Sequence, residues 1–315
     1  MCIRDRDRRY GIELETSGSI SKEDIQQFIS KKFKRESIVT KYELSDSDFC
    51  GWHIKDDATS GPSGRQGPKG VEIASFVGNS IADLQHMIQV TNSLAKLGCE
   101  INENCGFHIH AEATDFSCEN LAIILSYWIK IENIISLALP ESRKDNYFCK
   151  PILERCRAGE TIKENLDKSW SSKQIWMLLK PKNVSFFNND DRKVTLNVVN
   201  YVRSMEYRTG KRKTLEFRWP EGTLCGDDVR NWVVLFLSFL SNCKNRKMPK
   251  DLFPLSLIET MKILGLYHKS GSFDIYDTFL YQTKIWFLSR IIKFGNDEPA
   301  IDTAREMLET LRALK

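Results

Sequence analysis

"CGFHIHAE", residues 105–112, alternates through its middle: Phe107 and Ile109 fall on one side of an extended chain, His108 and His110 on the other. Side chains alternate along a strand, so residues i and i+2 share a face. The stretch therefore reads as a β-strand with one apolar face and one imidazole face. The whole chain has only five histidines, so two on one short face call for a partner chemistry.

Three further segments show the same pattern. In "RYGIELET" (9–16), Glu13 and Glu15 oppose Ile12 and Leu14. In "GVEIASF" (70–76), Glu72 lies between Val71 and Ile73. In "TLEFRW" (214–219), Glu216 and Arg218 oppose Leu215, Phe217 and Trp219. A half-exposed antiparallel sheet accounts for any one of these strands. The set is less ordinary, because carboxylates are depleted in strands and neighbouring carboxylates repel unless a cation lies between them. If the four strands share one sheet, their polar faces make a floor of carboxylates, imidazoles and a guanidinium. Carboxylate oxygens suit Mg²⁺ or Mn²⁺, and an imidazole shifts the balance toward Mn²⁺. A guanidinium beside such metals offers fixed donors to a phosphate. Metals and an arginine around a phosphate are the means of phosphoryl transfer. The chain has no glycine-rich P-loop, so a nucleotide would be held another way.

Outward from these strands, "SKEDIQQFISKKF" (21–33) has a capping serine and helical apolar spacing, and residues 80–97 form a second helix ended by Gly98. "GWHIKDD" is a strand, joined to "GVEIASF" by the glycine- and proline-rich loop 58–70. A long helix over 119–138 ends at Pro140, and residues 141–185 look mixed or helical. "TLNVVNYVRSMEYRT" and "KRKTLEFRWPEGT" look like two strands around a turn at Gly210. Asp227 or Asp228 caps a helix running to about 242, and 255–315 is mainly helical. Strands recur without regular βαβ alternation, which predicts an α+β fold with an antiparallel or mixed sheet and helices packed on one face. The expected organisation is a catalytic domain over 9–243, with a helical part, 244–315, packed on it. Residues 1–8 are expected to be non-native or disordered, since "MCIRDR" resembles a translated adapter remnant.

The charge balance, 46 basic against 42 acidic residues, gives no reason to expect a nucleic acid or membrane partner. The nine cysteines include no CxxC pair, so free thiols in a reducing, cytoplasmic compartment are expected. The apolar stretch 121–139 carries Lys130 and Glu132, and 232–240 is about half the roughly 20 residues a span needs; both read as buried helices.

The ordered set "GIELE", "GVEIAS", "CGFHIH", "PESRKDNYFCKP" and "LN…TLEFRWPEGT" resembles the amidoligase family, which is similar in fold to glutamine synthetase and glutamate–cysteine ligase. The resemblance spans roughly 9–243; "CGFHIH" and "TLEFRWPEGT" carry it most specifically. It implies an ATP-dependent carboxylate–amine ligase that forms an amide through an acyl phosphate. It further implies that Glu13, Glu15, Glu72, His108 and Glu216 hold Mg²⁺ or Mn²⁺, with one of His108 and His110 a metal ligand and the other on phosphate or substrate. Arg218 would bind ATP phosphates or the transferring phosphoryl group, Arg143 a carboxylate or phosphate, and Asn197 would match a polar cofactor position. The substrates would be small-molecule or peptide carboxylates and amines. The resemblance allows a homo-oligomer, though no segment specifies one. The family usually has proline after its "E-x-x-S"; here Phe76 follows Ser75, which bears on loop shape rather than chemistry.

Three other readings stay open. One is a metal-dependent amide hydrolase using the His-x-His pair, although His53, His86 and His268 form no HExxH helix. Another is a non-catalytic binding protein on the same sheet. A minor one is guanidino phosphotransfer.

Overall fold

The computed structural model describes residues 8–40, 50–61, 70–155, 192–207, 213–267 and 275–313, with positions 162, 164 and 174. Contacts divide the chain into two units: the part up to Glu112 with Arg218–Arg230, and Ala113–Phe217 with the part from Asn231 on.

The first unit is built on five strands, β1 (Tyr10–Thr16), β2 (Ser37–Val39), β3 (Trp52–Asp57), β4 (Gly70–Ala74) and β5 (Phe107–Glu112). Their order across the sheet is β2-β3-β4-β1-β5. β2 and β3 run parallel and the other neighbours antiparallel, so the sheet is mixed. The apolar residues of the alternation make the core: Ile12, Leu14, Ile54, Ile73, Phe107 and Ile109 are each no more than 1% exposed. Each such burial contributes about 1.5–3 kcal/mol relative to exposure. Helix α1 (Lys22–Phe33) lies against β2 and β3 and buries Ile25 and Ile29. Ser21 caps it by accepting from the Asp24 amide at 3.0 Å, with acids in its first turn and lysines in its last. Helix α2 (Ile81–Leu97) has the same device at Ser80 and ends at Gly98, whose φ of 100° suits glycine.

The second unit opens on α3 (Cys118–Leu137), started by a reciprocal Ser117–Asn120 capping box. By length and composition α3 could cross a membrane, yet 78% of its most apolar window is buried within the protein. Its Trp128 meets Phe217, Phe236 and Phe239 with ring centroids 5.2, 5.7 and 5.4 Å away. Short helices α4 (Glu141–Lys144) and α5 (Ile152–Arg155) follow, then β6 (Leu196–Asn197), α6 (Val199–Tyr207) and β7 (Thr214–Phe217). α7 (Gly226–Cys243) starts in the first unit and continues in the second. α8 (Leu257–Ile263), α9 (Ile275–Phe294) and α10 (Glu298–Ala313) complete a C-terminal part that is mainly helical, as its sequence indicates. The α+β class with a mixed sheet is the observed one.

Two local expectations are corrected. The segment expected to be a long strand near 195–209 has only two strand residues, paired antiparallel with β7, before it turns into α6. Asn197 Oδ1 accepts from the Val199 amide at 2.9 Å, the first step of the turn. Val198, Tyr201 and Val202 recur at helical spacing and are all buried, so packing overrides the strand preference of valine. Asp227 and Asp228 do not cap α7; they lie in its first turn, where the preceding Thr223 hydroxyl accepts from the Cys225 amide at 3.0 Å. Positions 1–7, residues 62–69 of the expected loop, most of 156–191, the expected turn around Gly210 and His268 fall outside the described residues.

Candidate active site

On the polar face of the first sheet the register aligns residues in cross-strand rungs. Lys55 lies opposite Glu72, and Glu72 opposite Glu15. In the next rung, His53, Ala74, Glu13 and His108 follow one another across β3, β4, β1 and β5. In the third, His110 stands opposite Gly11, which has no side chain, and the imidazole leans toward Glu13. The alternation therefore brings Glu13, Glu15, Glu72, His108 and His110 together, as the strand patterns indicate.

The contacts are close. Glu13 Oε1 is 3.1 Å from His110 Nε2, and Glu13 Oε2 is 3.3 Å from His108 Nδ1. Glu15 Oε1 lies 3.6 Å from His108 Nε2. Its other oxygen accepts from the Gly106 amide at 2.6 Å, which ties the start of β5 to β1. Glu72 Oε1 is 2.8 Å from Lys55 Nζ. The His108 side chain is 5% exposed and Glu13 and His110 are each 21% exposed, so this is a partly buried array.

Its electrostatics follow from that burial. Desolvation works to raise the Glu13 carboxyl, but His110, His108 and Lys55 overcome it and hold Glu13 well below the usual carboxylate range. Glu72 goes the other way, pushed up to about 8 by burial and then by Glu13, against Lys55. Adjacent rungs thus contain a firmly ionised carboxylate, Glu13, and one that resists ionisation, Glu72. A divalent cation among them would relieve the repulsion. Three carboxylates and an imidazole on one face fit Mg²⁺ or Mn²⁺ by donor chemistry.

In the second unit Glu216 is 1% exposed. Its Oε2 accepts from Asn197 Nδ2 at 2.6 Å and lies 3.7 Å from Arg192. Asn197 and Glu216 are direct partners across the β6–β7 pair. Arg143 is buried on α4. Arg218 is half-buried just past the end of β7 and groups with the first unit.

A sequence profile described as "Putative amidoligase enzyme" matches residues 6–240 of the 315. The chain belongs to the amidoligase family. No curated protein matches it at a significant level. Among solved structures it is similar to a bifunctional glutathione synthetase from Pasteurella multocida, at 10% identity and a TM-score of 0.39, over 97% of this chain and 47% of that one. It is also similar to the ligase PafA in complex with the prokaryotic ubiquitin-like protein Pup, again at 10% identity and a TM-score of 0.39, over 91% of this chain and 65% of that one. The chain therefore spans about half and just under two-thirds of their lengths, and likenesses this slight carry no functional weight.

This amidoligase also has residues at the site that strand alternation could have marked and did not. Lys55 and Asp57 are i and i+2 on β3, so they share the face of Glu72. Asp57 is 5% exposed; its Oδ1 accepts from Thr59, while Oδ2 has no hydrogen-bond partner among the described residues. His53 shares the rung of Glu13. Arg192 beside Glu216 had no signal in the sequence, since it lies outside any periodic segment. Cys105 is buried just before β5, with its carbonyl accepting from the Gly222 amide. Among the described residues seven cysteines stand outside any disulfide.

Proposed function

We propose that this amidoligase joins a carboxylate to an amine with the help of ATP and divalent metal. The observation that carries this reading is the convergence of Glu13, Glu15, Glu72, His108 and His110 on one partly buried sheet face. Glu13, Glu15, Glu72 and His108 hold Mg²⁺ or Mn²⁺, and the family resemblance adds Glu216 to that set. Bound ATP supplies a phosphoryl group to the substrate carboxylate, and the amine displaces phosphate from the resulting acyl phosphate to leave the amide. The protein's own part is placement and charge. His110, oriented by Glu13, contacts phosphate or substrate. Arg218 neutralises phosphate charge, with a geometry for two donors that lysine lacks. Asn197 takes part in nucleotide binding and Arg143 in holding a carboxylate or phosphate. The substrates are small molecules or peptides, and the free thiols support a cytoplasmic setting.

The array has more oxygen donors than a hydrolytic zinc uses, which is usually three protein ligands and a water. This favours the ligase over the His-x-His hydrolase. The test is ATP turnover in the presence of carboxylate and amine pools. The reading expects phosphate release that needs both together and falls at least about 100-fold in Glu15→Gln, the scale of losing one electrostatic contact in a closed site. Full activity in Glu15→Gln, or amide cleavage without ATP, would sink it.

A further inference from the structure

Lys55 has no role in the reading above, yet it is built into the acidic row. Its Nζ lies 2.8 Å from Glu72 Oε1, the paired side chains being 29% and 12% exposed. The register sets Lys55, Glu72 and Glu15 in a single line across β3, β4 and β1. A lysine here is a compact positive charge on a flexible stem, anchored by a strand that the core holds in place. It stands at the β3 end of that line, next to Glu72, and is the more exposed of the pair. A divalent metal that takes Glu72 Oε1 must first displace this ammonium.

We propose that Lys55 is a resident counter-cation: it holds Glu72 while no metal is bound and competes with divalent metal for that carboxylate. The inference rests on the polar face of β4, β1 and β5 being the metal site. Displacement does not send the charge away. The stem keeps the ammonium beside the same face, where an anionic oxygen of a phosphate or a carboxylate can take it. Metal loading would thereby present a cation to the anionic substrate, so the two binding events favour one another.

The test is titration of Mn²⁺ alone into the full chain by calorimetry, with Lys55→Met, which keeps most of the aliphatic stem, and Lys55→Arg, which keeps the charge. The expected result is Mn²⁺ affinity raised about tenfold or more in Lys55→Met, within the usual range of coupling between two ligands, and unchanged in Lys55→Arg. In a Glu72→Gln background the Lys55→Met change should lose its effect. If Lys55→Met does not fold, Lys55→Gln carries the same comparison. Equal or weaker Mn²⁺ binding in the charge-removing variant, with wild type binding normally, overturns the competition and leaves the metal site standing. No Mn²⁺ binding by either folded protein overturns the metal site itself.

Discussion

Glu132 lies in the interior of α3, outside the site, and its surroundings predict how the fold responds to pH. It accepts from the Ile152 amide at 3.0 Å and from the Thr195 hydroxyl, which in turn receives the Trp128 indole N–H at 2.9 Å. Burial raises its carboxyl from the usual 4.5 to about 7, against those hydrogen bonds. A carboxyl with a raised native pKa holds its proton more tightly when folded. Its contribution to stability is therefore full below about 4.5, falls as pH climbs from there to about 7, and is level above, by on the order of 3 kcal/mol. Glu132→Gln should flatten that slope in denaturant melts run from pH 4.5 to 7. Glu132→Ala should lose about 2–3 kcal/mol at pH 4.5, because Thr195 and the Ile152 amide lose their partner, and the deficit should shrink as pH rises to 7; a melt equal to wild type at pH 4.5 would contradict the anchoring role. Within the site, Glu13→Gln should weaken Mn²⁺ binding by at least about tenfold, as loss of an ionised ligand requires. Period-two alternation made Glu13, Glu15, Glu72, His108 and His110 legible in the sequence, since each directly follows an apolar residue of its strand. Alternation alone places Lys55 on a strand face, where a lysine ordinarily marks solvent, and only the β3–β4 register shows that its partner is Glu72.

Among the elements, β4 has a constraint at its first residue. A Cβ on Gly70 would fall 2.0 Å from Ser60 Oγ and 2.6 Å from the Thr16 carbonyl oxygen. Gly70→Ala should cost about 1–3 kcal/mol through overpacking, read as a drop in melting temperature, and should weaken metal binding, because Glu72 is two residues on. An unchanged melt would show that the close approach is not kept in solution. At β6, Asn197→Ala should cost about 1 kcal/mol, as loss of a side-chain cap does, by freeing the Val199 amide. Helices α1, α2 and α3 were legible from the capping Ser21, Gly98 and Pro140 respectively, and in the structure Ser21, Ser80 and Ser117 each accept from the third residue on. The helix α6 was not. Its run of valines fits strand and helix alike, and only the burial of Val198, Tyr201 and Val202 in the second unit decides it.

At the scale of the whole molecule, the sequence marks the fold class and the polar faces but not the division into units. That division cuts "TLEFRW" between Phe217 and Arg218 and passes through α7 after Arg230, points where composition does not change. The nearly balanced charge and the buried α3 agree with a protein whose chemistry is concentrated on one partly buried face and not spread over its surface. The central claim is that this face binds nucleotide through divalent metal. It is tested most directly by calorimetric titration of Mn²⁺·ATP, and of ATP with chelator, into the wild type and into Glu13→Gln/Glu15→Gln. The account predicts binding that requires the metal and is lost in the double variant while its melt shows a folded protein. Nucleotide binding that persists in the double variant, or its absence from the folded wild type, would contradict it.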